Sequence, residues 1–326
     1  MSKRFNNKRL FIILAGLLVI LLLTVIIKIP KENATLRTNL VDLDTSDVFK
    51  ILFIPRVSGG QPFDFARESS GWKVHKGDIT SIPRKGAVEG IFSELLSMKP
   101  QNLAAADKSE WKEYELTDSL ATRVKLMDKK DRVLGDIMIG KFTYRQVNNP
   151  YASYGGNNIE GTSFVRLYDE KEVYAVNGFL AFSFSGNFDD WRDRTFVRCN
   201  KGDITKITFS LPADSSFILE KRDSLWHVGD HFTDSLNLSN YLSSLGLLEG
   251  QTFMDNFKPV GAPAYQVVIE GNNLLNTTVK CYHGEAADEY ILNSSMNPGV
   301  FYSSNRNGLF SKVFKPETYF LKQVKK

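Results

Sequence analysis

Histidine side chains are the groups that most readily bind metal ions or exchange protons near neutral pH, and the chain has four of them. His227 and His231 are four residues apart, a spacing that binds zinc when both lie on one face of a helix. Their segment has the pattern of a strand and a turn, and no Glu follows His227. The sequence therefore predicts no metal centre and no cofactor.

Motifs for nucleophilic catalysis and phosphate binding are missing as well. The chain has no G-x-S-x-G turn, no S-x-x-K beside its apolar N-terminal stretch and no glycine-rich nucleotide loop. Paired carboxylates of glycoside hydrolases have no short signature, so Glu160, Asp189 and Asp190 remain candidate acids of an envelope glycan hydrolase. The missing motifs favour a non-catalytic protein, and this hydrolase is one alternative.

Two further groups of reactive side chains are open to more than one interpretation. Cys199 and Cys281 match no metal-binding spacing; they can form one disulfide or remain two buried thiols, because pairing depends on the distance between their Cα atoms. Five charged residues surround Trp191 in the stretch 189–194. Neighbouring Asp and Arg usually satisfy each other, so a surface ion-pair cluster packed on Trp191 is favoured over a metal or anion site.

One arrangement of a strand, a link and a helix occurs twice in the chain. In Ser69–Met98 a strand around Trp72 precedes a turn-rich link and an amphipathic helix, and Asp223–Leu248 repeats this order around Trp226. Apolar residues at helical spacing form one stripe in each helix: Val88, Ile91, Phe92, Leu95 and Met98, then Leu238, Tyr241, Leu242, Leu245 and Leu248. Trp72 and Trp226 are then core residues between helix and sheet, with ligand stacking as the alternative. Trp191 is also predicted to be a core residue.

Strand alternation and turn residues predict two repeats, with three hairpins in the first and two in the second. Four elements recur in the same order in residues 47–200 and 201–326, which predicts an α+β fold in which each repeat is a mainly antiparallel sheet with one packed helix. The predicted hairpins of the first repeat lie at residues 63–75, 124–139 and 164–176, and a closing helix is predicted at Leu309–Phe314.

One insertion distinguishes the first repeat. Val147–Gly161 is rich in Asn and Gly, and loops of this length inside compact domains are often functional. Its candidate partner contacts are Tyr151, Tyr154, Asn157 and Asn158; a functionless insertion is the alternative.

The N-terminal stretch predicts a membrane anchor. Leu10–Ile27 contains no charged residue, and it is long enough to cross a bilayer as a helix. Basic residues crowd its N-terminal side, so the positive-inside tendency predicts a single pass through the inner membrane, with the N-terminus in the cytoplasm and the bulk of the chain in the periplasm. A cleaved signal peptide is the alternative. Residues 1–29 are then the cytoplasmic tip and the transmembrane anchor, and residues 30–46 form a linker.

Charge argues against a nucleic-acid partner. The net charge is +4, but residues 1–29 hold five of the 41 Lys and Arg and no acid, which leaves 36 basic against 37 acidic residues. The remainder therefore lacks the basic field of a nucleic-acid binder.

Several short motifs occur in a fixed order: W-x-V at Trp72–Val74, Tyr114-Glu115-Leu116, Ile139-Gly140, Val173–Val176 and W-R-D-R-T-F at Trp191–Phe196. This order, over roughly Asp47 to Val228, resembles an uncharacterised bacterial domain-of-unknown-function family of membrane-anchored envelope proteins. Members are often encoded beside auxiliary components of gliding-motility-type ABC transporters in Bacteroidetes-like bacteria. The resemblance implies a transporter-accessory role and brings no catalytic residue.

The function favoured by the sequence is a non-catalytic, membrane-anchored accessory or binding component of an ABC-type transporter or another envelope complex. A structural spacer, which only sets a distance from the membrane, and the glycan hydrolase are the alternatives.

Overall fold

A computed structural model describes residues 37–56, 60–146 and 159–322 of the chain. These described residues form two compact units. The first takes those up to Thr80 and those from Gly86 to Asp190, and the second takes Ser81–Lys85 and those from Trp191 onward.

The first unit is built on a nine-stranded, largely antiparallel sheet. Apolar residues alternate with polar ones along its strands, as in β1, where Ile51 and Phe53 are fully buried and their neighbours are not. The sheet order is β4-β3-β2-β1-β6-β7-β8-β9-β5. The strands are β1 (Lys50–Ile54), β2 (Phe63–Glu68), β3 (Gly71–Lys76), β4 (Ile79–Ser81), β5 (Pro100–Ala105), β6 (Thr122–Met127), β7 (Val133–Gln146), β8 (Ile159–Leu167) and β9 (Val173–Asn177).

A helix and an aromatic cluster form the core of the first unit. Helix α1 (Ala87–Ser97) buries Val88, Ile91 and Leu95, which its periodicity places on one face. Phe53 and Phe63 stack at 5.0 Å between ring centroids, and the core also holds Phe184 and Phe188, which follow the short helix α2 (Leu180–Ser183). Stacked and edge-on aromatic rings add to the free energy gained from burial alone.

The segment 106–121, which joins β5 to β6, packs on the β7–β8 part of the sheet. Leu116 of this segment is fully buried against Met138 and Val173, and the Tyr114 ring lies 4.7 Å from that of Phe164. Lys141 donates its backbone N–H to the Tyr114 carbonyl oxygen. Apolar surface on this side of the sheet is therefore removed from water as well.

A buried arginine fastens the same segment. Arg166 of β8 is 1% exposed; its guanidinium stacks 3.6 Å from the Trp111 ring centroid and donates to the Leu116 carbonyl oxygen at 3.0 Å. Further carbonyl oxygens at Leu167 and Tyr168 accept from it, and burial lowers its pKa. Neutral carbonyl acceptors and an aromatic face thus hold this charge.

The second unit has a sheet with the same strand order. It runs β14-β13-β12-β11-β17-β18-β19-β20-β16, which is the first order with each strand replaced by its counterpart, while β10 and β15 form a separate pair. The strands are β10 (Thr195–Val197), β11 (Ile204–Ser210), β12 (Phe217–Arg222), β13 (Leu225–Val228), β14 (His231–Phe232), β15 (Leu248–Glu249), β16 (Thr252–Phe253), β17 (Tyr265–Gly271), β18 (Thr277–His283), β19 (Glu289–Ser294) and β20 (Phe301–Asn305).

The core of the second unit follows the design of the first. Helix α3 (Ser235–Ser244) starts where the Asp234 carboxylate accepts the Asn237 backbone N–H at 2.8 Å, the usual N-cap interaction. Phe209 and Phe217 stack at 4.4 Å, and Phe320 packs on both. Two short helices close the unit, α4 (Leu309–Val313) and α5 (Glu317–Phe320).

Both cysteines are free thiols buried in the second unit. Burial raises the pKa of the Cys281 thiol to about 12 and also raises that of Cys199. Of the two interpretations that the sequence allows, the structure contains the two separate thiols.

The predicted fold class, α+β with an N-terminal transmembrane helix followed by two tandem repeats of one helix each, is wrong. Antiparallel sheets are the main regular structure of the described residues, with 42% strand against 16% helix, and each unit packs more than one helix on its core. Among these residues, the longest helix has 11 residues, and none is both long and apolar enough to cross a membrane. Leu10–Ile27 lies outside the described residues.

Individual elements were predicted more accurately. The three hairpins of residues 63–75, 124–139 and 164–176 are confirmed as β2–β3, β6–β7 and β8–β9. The helices that contain Ile91 and Leu242, and the closing helix at Leu309, are also confirmed.

Gly140 provides a test of the packing of segment 106–121. A Cβ atom there would collide with the Tyr114 carbonyl oxygen and lie 2.9 Å from Leu116 Cγ. Gly140→Ala is expected to lower the free energy of unfolding by about 1–3 kcal/mol, measured by urea denaturation. Gly90→Ala is the matched control, since its Cβ meets nothing within 4 Å in helix α1, and it is expected to be stabilising by about 0.5–1 kcal/mol. Equal effects of the two changes would contradict this packing.

Thiol labelling tests the state of the two cysteines. Because the thiolate is the reactive form, and burial holds both protons on sulfur, the folded protein at pH 8 is expected to react with neither thiol within minutes. In denaturant both are expected to react with a chromogenic disulfide reagent. Rapid labelling of the folded protein, or no labelling after unfolding, would contradict the structure.

Candidate binding surface

The sequence-predicted partner contacts Tyr151, Tyr154, Asn157 and Asn158 lie outside the described residues. The strands that lead into and out of this stretch are described. They are the end of β7 and the start of β8, which pair from Phe142↔Ser163 to Gln146↔Ile159.

These strand ends form an arm, defined here as residues 142–146 and 159–163. The pairing of β7 with β6 stops at Ile139, so the arm continues past β6. Along β7, Phe142 and Tyr144 alternate with Thr143 and Arg145. Since successive side chains of a strand point to opposite sides, the arm has one aromatic and one polar face.

The aromatic face of the arm consists of Phe142, Tyr144 and Ile159 together with Phe179 and Phe182. The ring of Phe142 lies 5.4 Å from that of Phe179 and 5.2 Å from that of Phe182. Tyr144 is 70% exposed, Phe182 71% and Ile159 50%. Contiguous exposed apolar side chains of this kind mark interaction surfaces more often than single exposed ones do.

A glycine shapes this aromatic face. Gly161 lies opposite Tyr144 in the strand pairing, and a Cβ atom on it would lie 2.7 Å from the Phe179 ring. The missing side chain therefore makes room for Phe179, which packs directly on the backbone of the arm. This contact fixes the inner rings, on which the exposed side chain of Phe182 rests.

The opposite face of the arm is polar and solvated. Arg145 pairs with Glu160 at 2.7 Å, and both side chains are more than half exposed. Such exposed pairs contribute little to stability. Glu160, a candidate hydrolase acid, is thus an exposed partner of an arginine.

The other two candidate acids lie in a short 3₁₀-helix, Phe188–Asp190. Asp190 is exposed and accepts hydrogen bonds from Ser185 Oγ at 2.6 Å and Asn187 Nδ2 at 3.1 Å. Within the described ranges, no three His, Cys, Asp or Glu residues are grouped so that they could hold a metal ion. His227 pairs with Phe232 across β13 and β14, which places the side chain of His231 on the opposite side of the sheet.

The three tryptophans with a predicted core role differ in burial. Trp191 is 3% exposed, with the Arg84 guanidinium 5.6 Å from its ring. Trp72 is half-buried, and its ring meets that of Phe92 of helix α1 edge-on at 6.2 Å. Trp226 is half-buried against the second core, and part of it lines a surface groove.

The charged stretch beside Trp191 combines exposed and buried side chains: Asp190 is exposed, whereas Arg192 is buried. Arg192 is 2% exposed; it binds both carboxylate oxygens of Asp255, at 2.9 and 2.5 Å, and donates to Ser81 Oγ at 2.9 Å. Its guanidinium also stacks 3.6 Å from the Phe253 ring centroid. Asp255 lies far along the chain from Arg192, so sequence reasoning, which looked for a partner among neighbours, missed it.

A comparison with family models identifies the chain. Residues 82–266 match a family described as a domain of unknown function, DUF4340. The chain belongs to the DUF4340 family. The predicted resemblance to a domain-of-unknown-function family is thereby confirmed at that level, whereas bacterial origin and the transporter link stay predictions. No curated protein and no solved structure matches the chain.

The region matched by the DUF4340 model includes both the arm and the Arg192–Asp255 pair. Arg192 also connects the W-R-D-R-T-F stretch to the segment Ser81–Lys85 through its hydrogen bond to Ser81 Oγ. Two backbone hydrogen bonds reinforce this connection, because Arg84 donates its N–H to the Trp191 carbonyl oxygen and Asp193 donates its N–H to that of Ile82. We therefore assign Arg192 a structural role, and the arm is the stronger candidate for binding.

The Arg192 assignment can be tested in this DUF4340 protein. Asp255→Asn removes the charge that neutralises a buried guanidinium, and is expected to lower the free energy of unfolding by about 3 kcal/mol. Glu270→Gln, which breaks the partly exposed Lys206–Glu270 pair of the same unit, is expected to cost less than about 1 kcal/mol. Chemical denaturation of both variants is the measurement, and a loss no larger for Asp255→Asn would refute the structural role.

Proposed function

We propose that this DUF4340 protein is a non-catalytic binding component of a larger envelope complex, and that its partner binds the aromatic face of the arm. The supporting observation is that aromatic side chains of this face are exposed to solvent. Phe182 and Tyr144 are about 70% exposed, although the polar pairing of Arg145 and Glu160 shows that the same strands accept charged residues.

The chemistry of this face suits a protein partner. Aromatic side chains are enriched among the residues that dominate binding energy, especially where they rest on a packed support. Phe142 and Phe179 provide that support, since their rings contact each other and that of Phe182. Little side-chain entropy is then lost on binding, because the inner rings are already ordered.

The proposed partner is a subunit of a membrane protein complex of the ABC-transporter type. This identity rests on the family resemblance of the sequence, and the envelope localisation is likewise a proposal. The arm borders the stretch 147–158 in the chain, so the predicted contacts Tyr151 and Tyr154 are close in sequence to the aromatic face.

Affinity purification from native membranes tests this function. The doubly substituted chain, Tyr144→Ser with Phe182→Ser, is expected to lose transporter subunits that the unmodified protein retains in mild detergent, as measured by quantitative mass spectrometry. Both side chains are largely exposed, so the fold is expected to persist.

The matched control is Val260→Ser with Leu275→Ser, which removes two apolar side chains that are 93% and 89% exposed in the second unit. It is expected to retain the same subunits. Equal recovery with the arm variant would contradict the proposed surface, and recovery of no transporter subunit by any form would contradict the accessory role.

A further inference from the structure

A groove runs along helix α3 in the second unit. It consists of two adjoining cavities of about 500 and 470 Å³, which share Lys201 and Leu242 as lining residues. The cavity at the start of the helix extends to Trp226 and Phe232, and the other extends to Arg198 and Gly246.

The floor of the groove is apolar. Leu238 and Leu242 are four residues apart and therefore lie on one side of helix α3. The half-buried Trp226 and the 58% exposed Phe232 continue this surface beyond the start of the helix. Phe232 is supported from behind by the ring of His227, at 4.8 Å between centroids.

The rim of the groove is basic. Arg198, Lys201 and Lys322 line it and are exposed, and neither cavity has an Asp or Glu among its lining residues. Hydroxyl groups complete the rim, at Ser224, Ser235, Ser239 and Ser243. The acid nearest in sequence to helix α3, Asp234, uses its carboxylate to cap the helix.

We propose that this groove binds a short, extended, acidic peptide that carries a bulky apolar side chain. The apolar side chain would lie on Trp226, Phe232 and Leu238, and its acidic neighbours would pair with Lys201 and Lys322. Helix α3 has ten residues and is therefore about 15 Å long, which matches about five residues of extended chain.

The positive charge of the rim favours an acidic peptide over other occupants of the groove. The chain's own C-terminal stretch, 323–326, includes two lysines and no acid, so like charges disfavour its binding in a basic groove. A nucleic acid would need a wider basic surface, and outside residues 1–29 the chain has 36 basic against 37 acidic residues. A peptide with carboxylates beside an apolar side chain can pair with the basic rim and pack on the apolar floor at the same time.

Fluorescence anisotropy with defined peptides tests the inference on the full chain. The probe is a fluorescein-labelled hexapeptide, Asp-Glu-Leu-Phe-Asp-Glu. Its Kd is expected to be at least about tenfold lower than that of Lys-Lys-Leu-Phe-Lys-Lys or of Asp-Glu-Ser-Ser-Asp-Glu, and to rise with salt.

Two charge variants locate the binding. Lys201→Glu with Lys322→Glu is expected to raise the Kd of the acidic peptide by about tenfold or more. Lys258→Glu, at an exposed lysine that does not line the groove, is expected to leave it within about twofold. Phe232→Ser is expected to raise the Kd of the acidic peptide as well, and Leu275→Ser is its control.

Several results would overturn the inference. One is that the acidic peptide shows no saturable binding. Another is that the basic peptide or a polyuridine oligonucleotide binds as tightly as the acidic peptide. A third is that the Kd of the acidic peptide is unchanged in the Lys201→Glu, Lys322→Glu variant. The groove variants leave the arm unaltered, so this inference and the proposed function can fail independently.

Discussion

A twisted sheet is stable only when most of its apolar surface is covered, and this requirement governs both units. In the first unit, helix α1 and the Phe53–Phe63 stack form one core, while segment 106–121 packs on strands β7 and β8 through Leu116 and Tyr114. The second unit repeats the arrangement, with helix α3 and the Phe209–Phe217 stack in the core and with Phe257, from the equivalent connection, packed on Tyr282 and Phe301.

The two candidate binding surfaces are places where apolar side chains remain exposed. The arm continues past strand β6 and presents Tyr144 and Phe182 to solvent. The groove beside helix α3 lies next to β14, which has only two residues, and it leaves part of Trp226 and Phe232 exposed. Contiguous exposed apolar side chains mark interaction surfaces more often than single ones do, and this is the basis for the two proposals of binding.

Sequence patterns predicted local elements well and long-range partners poorly. Alternation around Trp72 and helical spacing from Val88 to Leu95 are local signals, and the hairpin and helix that they predict are present. One partner of Arg192, by contrast, is Asp255 in a distant loop, and no periodicity marks such a pair. The aromatic face joins strand residues to Phe179 and Phe182 across the fold, so the sequence indicated the neighbouring insertion but not this surface.

A partner that covers the aromatic face of the arm can be captured by site-specific photo-crosslinking in living cells. Phe182 would be replaced by p-benzoyl-phenylalanine in one form of the chain, and Val260, which is also largely exposed, in another. We expect a light-dependent adduct with one subunit of a transporter-type complex from the Phe182 position and none from Val260. An absence of adducts at Phe182, or the same adducts from both positions, would contradict the proposed surface.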